Sequence, residues 1–529
     1  MAPIHALLSG TICVLIGAAT CAPLTALESF SIRGRPAIKD FLDNCPYHPD
    51  PVDLPGAIPD QILTALTAVD GILTSVLDPN VVPGIAASIT YRDRVIYSKG
   101  FGTIKKGTAV PPTSETLFRI ASVSKIFVVI TIYQLFERGL VSSLDDPFVK
   151  YCPGFSINNI YNSQDITLRQ MLAQMSGLPR ISPCVNSTAD ILCIDTTAEI
   201  LEGLKSEILI HPPWSLPSYS NLAYSLLGRC VLENVVPGTS YEDYVTANIL
   251  TPLGMNNTGF NITESIAERM AVGYNSNDGS VATLYSLGWD SPSGQMYSNI
   301  DDMNKMLQFF NGIVVPFAPR KDSTVLSEDL RREMMLPLFV NPDGYTGFGT
   351  PWEIAFLANY TILTKSGNIG GYSSFFTVVP DLLLGMNLLF TGGPDLNQIA
   401  PGVDIYVALI PAMVEVLRTI QPVYPYPPDP SVYTGQYGSK DGLINVTIYD
   451  DGIHLFVSGL DIQTVYLSYQ KQYYFQVEFP LDTKICIATE LQGLYKQWLV
   501  FNPPAQPGGP STSCYLPGLY PAEMLYRID

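Results

Sequence analysis

The sequence predicts an α+β or α/β domain followed by a separate small antiparallel β domain. Three observations carry that expectation. Two strand-like runs, residues 82–91 and 95–101, are joined by a polar turn and precede a long apolar helical pattern at 119–140. A helical and loop-rich insert then separates these strands from a further strand pair at 361–379. Beyond a Pro-rich segment at 421–430, residues 433–529 read as short alternating strands rich in Tyr, Val and Phe, with turns at Asp441-Gly442 and Asp451-Gly452.

In chain order, residues 4–22 are apolar and small, with no acidic residue before Glu28, and read as a secretory signal peptide over 1–22. Residues 23–59 form a Pro-rich extension, 60–420 the main domain, 421–432 a linker and 433–529 the β domain. No other stretch is long and apolar enough to cross a bilayer, so the mature chain is expected to have no membrane span. The 529 residues carry a net charge of -19, which argues against nucleic acid as a partner. Oligomeric state is not legible.

In a secreted chain the sequons at Asn186, Asn256, Asn261, Asn359 and Asn445 are candidate glycan sites. Removing the leader leaves seven of the nine cysteines. We expect Cys184 to pair with Cys193, Cys486 with Cys514 and Cys45 with Cys152, and Cys230 to stay free in a buried helix. No His stands near a Cys at metal-ligand spacing, so no metal site is expected.

The chemistry centres on residues 119–140, RIASVSKIFVVITIYQLFERGL. Positions i and i+3 of a helix share a face, so Ser122 and Lys125 would meet. Serine needs a partner to take its proton, and a lysine serves only if burial lowers its pKa. The apolar run that follows supplies such burial. The pattern is short, and a second copy stands at Ser468 and Lys471 in a strand-like stretch.

At residues 211–233, Ser220 or Asn221 can cap a helix running from Leu222, which leaves Tyr219 at the helix mouth. A phenol beside ammonium groups has a lowered pKa and can move protons; a core Tyr beside a capping Asn is the plain alternative. Tyr297-Ser298-Asn299 repeats the pattern at a site better suited to helix capping. At residues 361–380, Lys365, Ser366, Gly367 and Asn368 lie between a strand and a Gly-rich turn. There a lysine can hold a carboxylate, and strand amides can stabilise an oxyanion. A Ser-His-Asp site is the rival, but no G-x-S-x-G elbow occurs and nothing selects among His48, His211 and His454.

S-x-x-K at Ser122, Y-x-N at Tyr219 and K-S-G at Lys365, in that order, resemble the serine β-lactamase and penicillin-binding protein superfamily. The Tyr form is similar to the class C β-lactamases and their related peptidases and esterases. QMSGLP at 174–179 is similar to that group's T-S-G-L-P loop, and KSGNIGGYSSF has the Gly spacing of its third motif. The resemblance covers about residues 60–416. It implies an α+β, transpeptidase-like antiparallel sheet with a helical domain, and the C-terminal domain resembles a lipocalin-like appendage of some relatives. It makes Ser122 the acylated nucleophile, Lys125 and Tyr219 the proton relay, and Asn221 a substrate ligand. Lys365 would tune Tyr219 and the substrate acid, with the amides of Ser122 and Asn368 as oxyanion hole and Ser366 in place of Thr. No cofactor is implied. The expected activity is cleavage of an ester, lactone or amide of a small molecule. The alternatives are a D-Ala-D-Ala carboxypeptidase, an acyltransferase or thioesterase, and a non-catalytic secreted binding protein.

Overall fold

The computed structural model describes residues 49, 51–275, 278–312, 325–392, 399–420, 425–440, 445–448, 454–457, 465–478, 496–517 and 523–528. Two compact units emerge, one spanning Asp50–Ile420 and one containing Gln421–Asp529. The expected signal peptide, Cys45, Cys486 and the side chain of Asn445 lie outside the described residues.

Strands of the first unit are β1 (Gly84–Tyr91), β2 (Arg94–Gly102), β3 (Phe118–Arg119), β4 (Tyr297–Ser298), β5 (Phe339–Val340), β6 (Thr346–Phe348), β7 (Glu353–Leu357), β8 (Tyr360–Ile369), β9 (Tyr372–Val379) and β10 (Leu384–Thr391). Eight of them form one sheet in the order β2-β1-β10-β9-β8-β7-β6-β5, and every pairing is antiparallel. The fold is therefore α+β, with the sheet and helical region that the motifs implied. The hairpin expected at residues 82–101 is present, with β2 at the sheet edge and β1 paired onward to β10.

Five helices matter for the site: α1 (Asp60–Val76), α2 (Lys125–Glu137), α3 (Asn221–Leu226), α4 (Ile300–Phe310) and α5 (Ile399–Thr419). β1 is buried along its whole length, because successive side chains enter opposite cores. Ile85, Ala87 and Ile89 pack with Ile62, Val69 and Leu73 of α1 and Leu409 and Met413 of α5. Ala86 turns to the other core, which contains all of α2 from Ile126 to Ile130. Each of the larger apolar side chains among these contributes roughly 1.5–3 kcal/mol on burial. The α2 helix stops at Gly139, whose φ of 71° is left-handed; the Leu140 amide returns to the Leu135 carbonyl at 2.9 Å. No described helix is long and apolar enough to cross a membrane.

Among the described residues the second unit is a closed barrel of eight strands: β11 (Gly435–Gly438), β12 (Asn445–Ile448), β13 (His454–Val457), β14 (Val465–Lys471), β15 (Tyr474–Glu478), β16 (Trp498–Phe501), β17 (Ser513–Leu516) and β18 (Glu523–Arg527). Closure through the β11–β18 pairing leaves no open edge among these described strands. Inside, Tyr433 sets its ring edge-on to Phe475 and Phe501, with centroids 4.8 and 5.0 Å away.

The cysteines depart from expectation at two points. Cys184 does pair with Cys193. Cys230, expected to be free, is bridged to Cys152, with Cα atoms 5.4 Å apart. The helix from α3 continues through a wider π turn at Leu227–Leu232, which carries Cys230 against residue 152. This occupies Cys152 and removes the expected Cys45–Cys152 bridge. Cys514, expected to pair with Cys486, is a free thiol inside the barrel, and burial pushes its pKa well up. Its position opposite Phe501 and Leu525 makes it an apolar core residue.

The Cys152–Cys230 bridge spans 78 residues, so its loss should cost about 4–5 kcal/mol in the chain-entropy account. Removing Cys184–Cys193, with a separation of 9, should cost about 2–3 kcal/mol. Urea unfolding of the two Cys→Ser pairs, with and without reductant, checks the order.

Candidate active site

Ser122 is the second residue of a 3₁₀ turn, Ala121–Ser124, that runs directly into α2 at Lys125. In a 3₁₀ turn residues i and i+3 eclipse, which places Lys125 Nζ 3.0 Å from Ser122 Oγ. Ala121 holds a φ of 46°, a left-handed value that bends the chain into the turn. The turn is held from outside by Ser374 Oγ, which donates to the Ile120 carbonyl at 2.6 Å, and by the Ile120 amide, which donates to the Met296 carbonyl at 2.9 Å.

Tyr219 stands one residue before the N-cap of α3. Ser220 is that cap: its Oγ accepts from the Ala223 amide at 3.0 Å and donates to the Pro179 carbonyl at 2.6 Å. The loop at 174–180 props up the Tyr219 segment by main-chain bonds. Carbonyls of Gln174, Met175, Gly177 and Arg180 receive the amides of Ser218, Trp214, Ile210 and Asn221. Gly177, at φ 72°, is the one position where a Cβ would meet the His211 carbonyl oxygen at 2.0 Å. The Tyr219 hydroxyl consequently reaches Ser122 Oγ at 2.6 Å.

Lys125 is completely buried, and its ammonium has three acceptors: Ser122 Oγ, Asn221 Oδ1 at 2.7 Å and the Ser293 carbonyl at 2.6 Å. The β8 strand brings Lys365 to the other side of Tyr219, 5.2 Å from the ring centre; Lys125 lies 4.9 Å away and Arg180 5.0 Å. Lys365 forms an ion pair with Glu353 of β7. Gly367 lets β8 lie against the 3₁₀ turn, since a Cβ there would sit 2.5 Å from the Ile120 carbonyl oxygen and 2.8 Å from the Ser122 amide nitrogen. Pairing between β7 and β8 ends at Thr364, so the edge of β8 beyond it has no strand partner on that side. The Ser366 amide on this edge goes to Glu353 at 3.1 Å, and Asn368, two residues further on, turns its amide the same way.

Burial is the largest single influence on each of the three titrating groups, but it sets the direction only at Lys125. It lowers the Lys125 pKa, the positive Lys365 adding to the drop, although Tyr219 and Glu353 oppose it. At Tyr219 burial acts upward, but the charges of Lys125 and Lys365 outweigh it and the phenol ends below its ordinary value. Burial also pulls Lys365 down, yet Glu353 and Tyr219 reverse it, so Lys365 ends above the usual lysine value. The arrangement offers one hydroxyl with two groups able to take its proton, beside a lysine that stays charged.

Ser122, Lys125, Tyr219, Asn221 and Lys365 are thus brought together, with Gly367 against the turn, Asn368 exposed and Ser366 turned to Glu353. The repeated motifs lie elsewhere. Tyr297 is in β4, and Asn299 caps α4 by accepting from the Asp302 amide at 2.9 Å. Ser468 and Lys471 lie on barrel strand β14, the first buried and the second exposed. Asn186, Asn256, Asn261 and Asn359 are exposed. Cys184, Cys193 and Asp290 cluster, but both sulfurs are spent in the disulfide. Asp190, Ile191, Tyr285 and Ser286 are among the residues that line a separate cavity of about 340 Å³, whose lining includes no motif residue. Sequence reasoning missed Glu353, which no motif marks, and Ser293, which acts through its carbonyl.

A β-lactamase family model matches residues 69–405. The chain belongs to the β-lactamase family. Members are serine hydrolases that work through an acyl-enzyme. A human β-lactamase-like protein is 36% identical over 421 residues, 77% of this chain and 79% of its own. Beta-lactamase-like protein 2 of Dictyostelium discoideum is 32% identical, covering 75% and 73%. Among solved structures, a class C β-lactamase from Rhodobacter sphaeroides aligns with a TM-score of 0.54 at 21% identity, over 65% of this chain and 99% of that one. A penicillin-binding protein homologue from Pyrococcus abyssi aligns at 0.52 and 21% identity, over 87% and 99%. These structural likenesses speak for the β-lactamase fold.

If Lys125 and Tyr219 hold the proton that Ser122 must lose, modification of Ser122 should speed up as pH rises through values below the ordinary lysine and tyrosine range. Rates of fluorophosphonate labelling across pH check this, and a midpoint at or above the free lysine value would count against it. Gly367→Ala should slow labelling by about tenfold or more, as a displacement of about 1 Å at a reacting centre does.

Proposed function

We propose that this protein is a secreted serine hydrolase that cleaves an ester, lactone or amide of a small molecule through an acyl-enzyme on Ser122. The observation that carries the reading is the Ser122 hydroxyl held at 3.0 Å by Lys125 and at 2.6 Å by Tyr219 in a buried setting. In this reading the Lys125–Tyr219 pair takes the Ser122 proton as Oγ attacks the substrate carbonyl carbon. The amides of Ser122 and Asn368 receive the oxyanion. Collapse expels the alcohol or amine, which leaves with the proton held by the pair, and water then releases the acid by the same steps in reverse. Lys365 keeps the Tyr219 phenol acidic. Asn221 spends its oxygen on Lys125, which leaves its amide nitrogen to hold substrate.

Two disulfides are compatible with an extracellular protein. The four exposed sequons support glycans on the surface.

Mass spectrometry of the fluorophosphonate adduct should place it on Ser122, and Ser122→Ala should abolish it; an adduct on another serine would overturn the assignment. Tyr219→Phe and Lys125→Ala should each lower ester turnover by about a hundredfold or more, as loss of acid–base catalysis does, while Tyr297→Phe is nearly silent. Nitrophenyl ester cleavage, nitrocefin opening and D-Ala release, run side by side, separate esterase, β-lactamase and carboxypeptidase; D-Ala release without ester cleavage would favour the peptidase.

A further inference from the structure

Glu353 has no part in the mechanism above, yet it holds most of the donors at the K-S-G edge. One carboxylate oxygen pairs with Lys365 Nζ. The other accepts from Ser366 Oγ at 2.8 Å and from the Ser366 amide at 3.1 Å. A further proton of Lys365 goes to the Ser366 carbonyl at 2.9 Å. Lys365, Ser366 Oγ and the edge amide are the groups that would otherwise receive a substrate carboxylate beside Ser122. A carboxylate is already seated there, and it belongs to the protein.

We propose that Glu353 is a specificity-determining residue that occupies the carboxylate seat of this site, so that the enzyme selects uncharged esters or amides and rejects substrates with a free carboxylate next to the scissile bond. The proposal rests on the serine-hydrolase reading of Ser122. Its physical basis is that an incoming carboxylate meets like charge and finds its donors taken, a penalty paid only by acidic substrates. Glu353 is anchored for the task. It begins β7 opposite Thr364, its side chain is 28% exposed and that of Lys365 is 1% exposed, so Glu353 is the member of the pair that solvent reaches. The other cation at the mouth, Arg180, is solvent-exposed over the Tyr219 ring, where water screens it.

The test compares phenyl acetate with 3-carboxyphenyl acetate, and nitrophenyl butyrate with nitrophenyl hemisuccinate, so that the charge is placed once on the leaving group and once on the acyl group. The full-length enzyme should prefer the neutral member of at least one pair by about tenfold or more in kcat/KM, the scale of one unfavourable charge contact. Glu353→Gln should narrow that ratio mainly through KM of the acidic ester, and Glu353→Asp should restore it. A wild-type enzyme that prefers the acidic member of both pairs overturns the proposal without any variant. An unchanged ratio in a folded Glu353→Gln that still labels at Ser122 overturns it too. Loss of Ser122 labelling in the wild type would instead defeat the hydrolase reading. The ratio is internal to each enzyme, so a general loss of activity in a variant does not mimic the predicted change.

Discussion

An ammonium with no access to water is the constraint to which this site is built. Lys125 lies at the head of a helix that is buried from Lys125 to Leu135, and charge in such a place is costly unless each proton finds an acceptor. The three acceptors come from three separate segments: the 3₁₀ turn that precedes it, the first residue of α3 and the carbonyl of Ser293 in the Ser291–Gly294 turn. Satisfying one lysine therefore draws together residues more than 160 positions apart in the chain. The close approach of β8 completes the enclosure, and Gly367 is what permits it.

Much of this was legible because the decisive features are local. Ser122 and Lys125 are three residues apart, and any helical turn makes them meet; Tyr219 is placed by the cap next to it. The ambiguous copies were settled only by tertiary structure. Ser468 and Lys471 have the same spacing on a strand, and Tyr297 sits beside a cap that serves its own helix. What the pattern of side chains cannot carry stayed hidden. Ser293 contributes a carbonyl, which every residue has. Glu353 reaches Lys365 across neighbouring strands, and no spacing rule connects them. The cysteines taught the same lesson: Cys184 and Cys193 are close in sequence and paired as expected. Cys152 and Cys230 are 78 apart, and packing of the α3 extension decides their union.

Family membership and site geometry inform different questions. Identity of 36% over 421 residues carries the general chemistry, because members share an acyl-enzyme mechanism. Selectivity depends on what surrounds the nucleophile. Here three cations lie about 5 Å from one phenol ring, and a single carboxylate answers the buried Lys365 of β8. Small changes in that balance alter which proton is mobile and which charge a substrate meets, while the fold stays as it is.

The main-chain ladder between the 174–180 loop and residues 210–221 has a further consequence. Each of its four bonds joins an amide to a carbonyl, so none depends on the identity of the side chain above it. The bonds from the amides of residues 210, 214 and 218 do not require a particular side chain there, only a residue that has an amide hydrogen and accepts the local backbone angles, left-handed at Trp214. The segment that delivers Tyr219 in this sense carries its side chains on a support written in backbone. Side chains of that segment can therefore drift by ordinary point changes while the placement of the phenol is inherited intact.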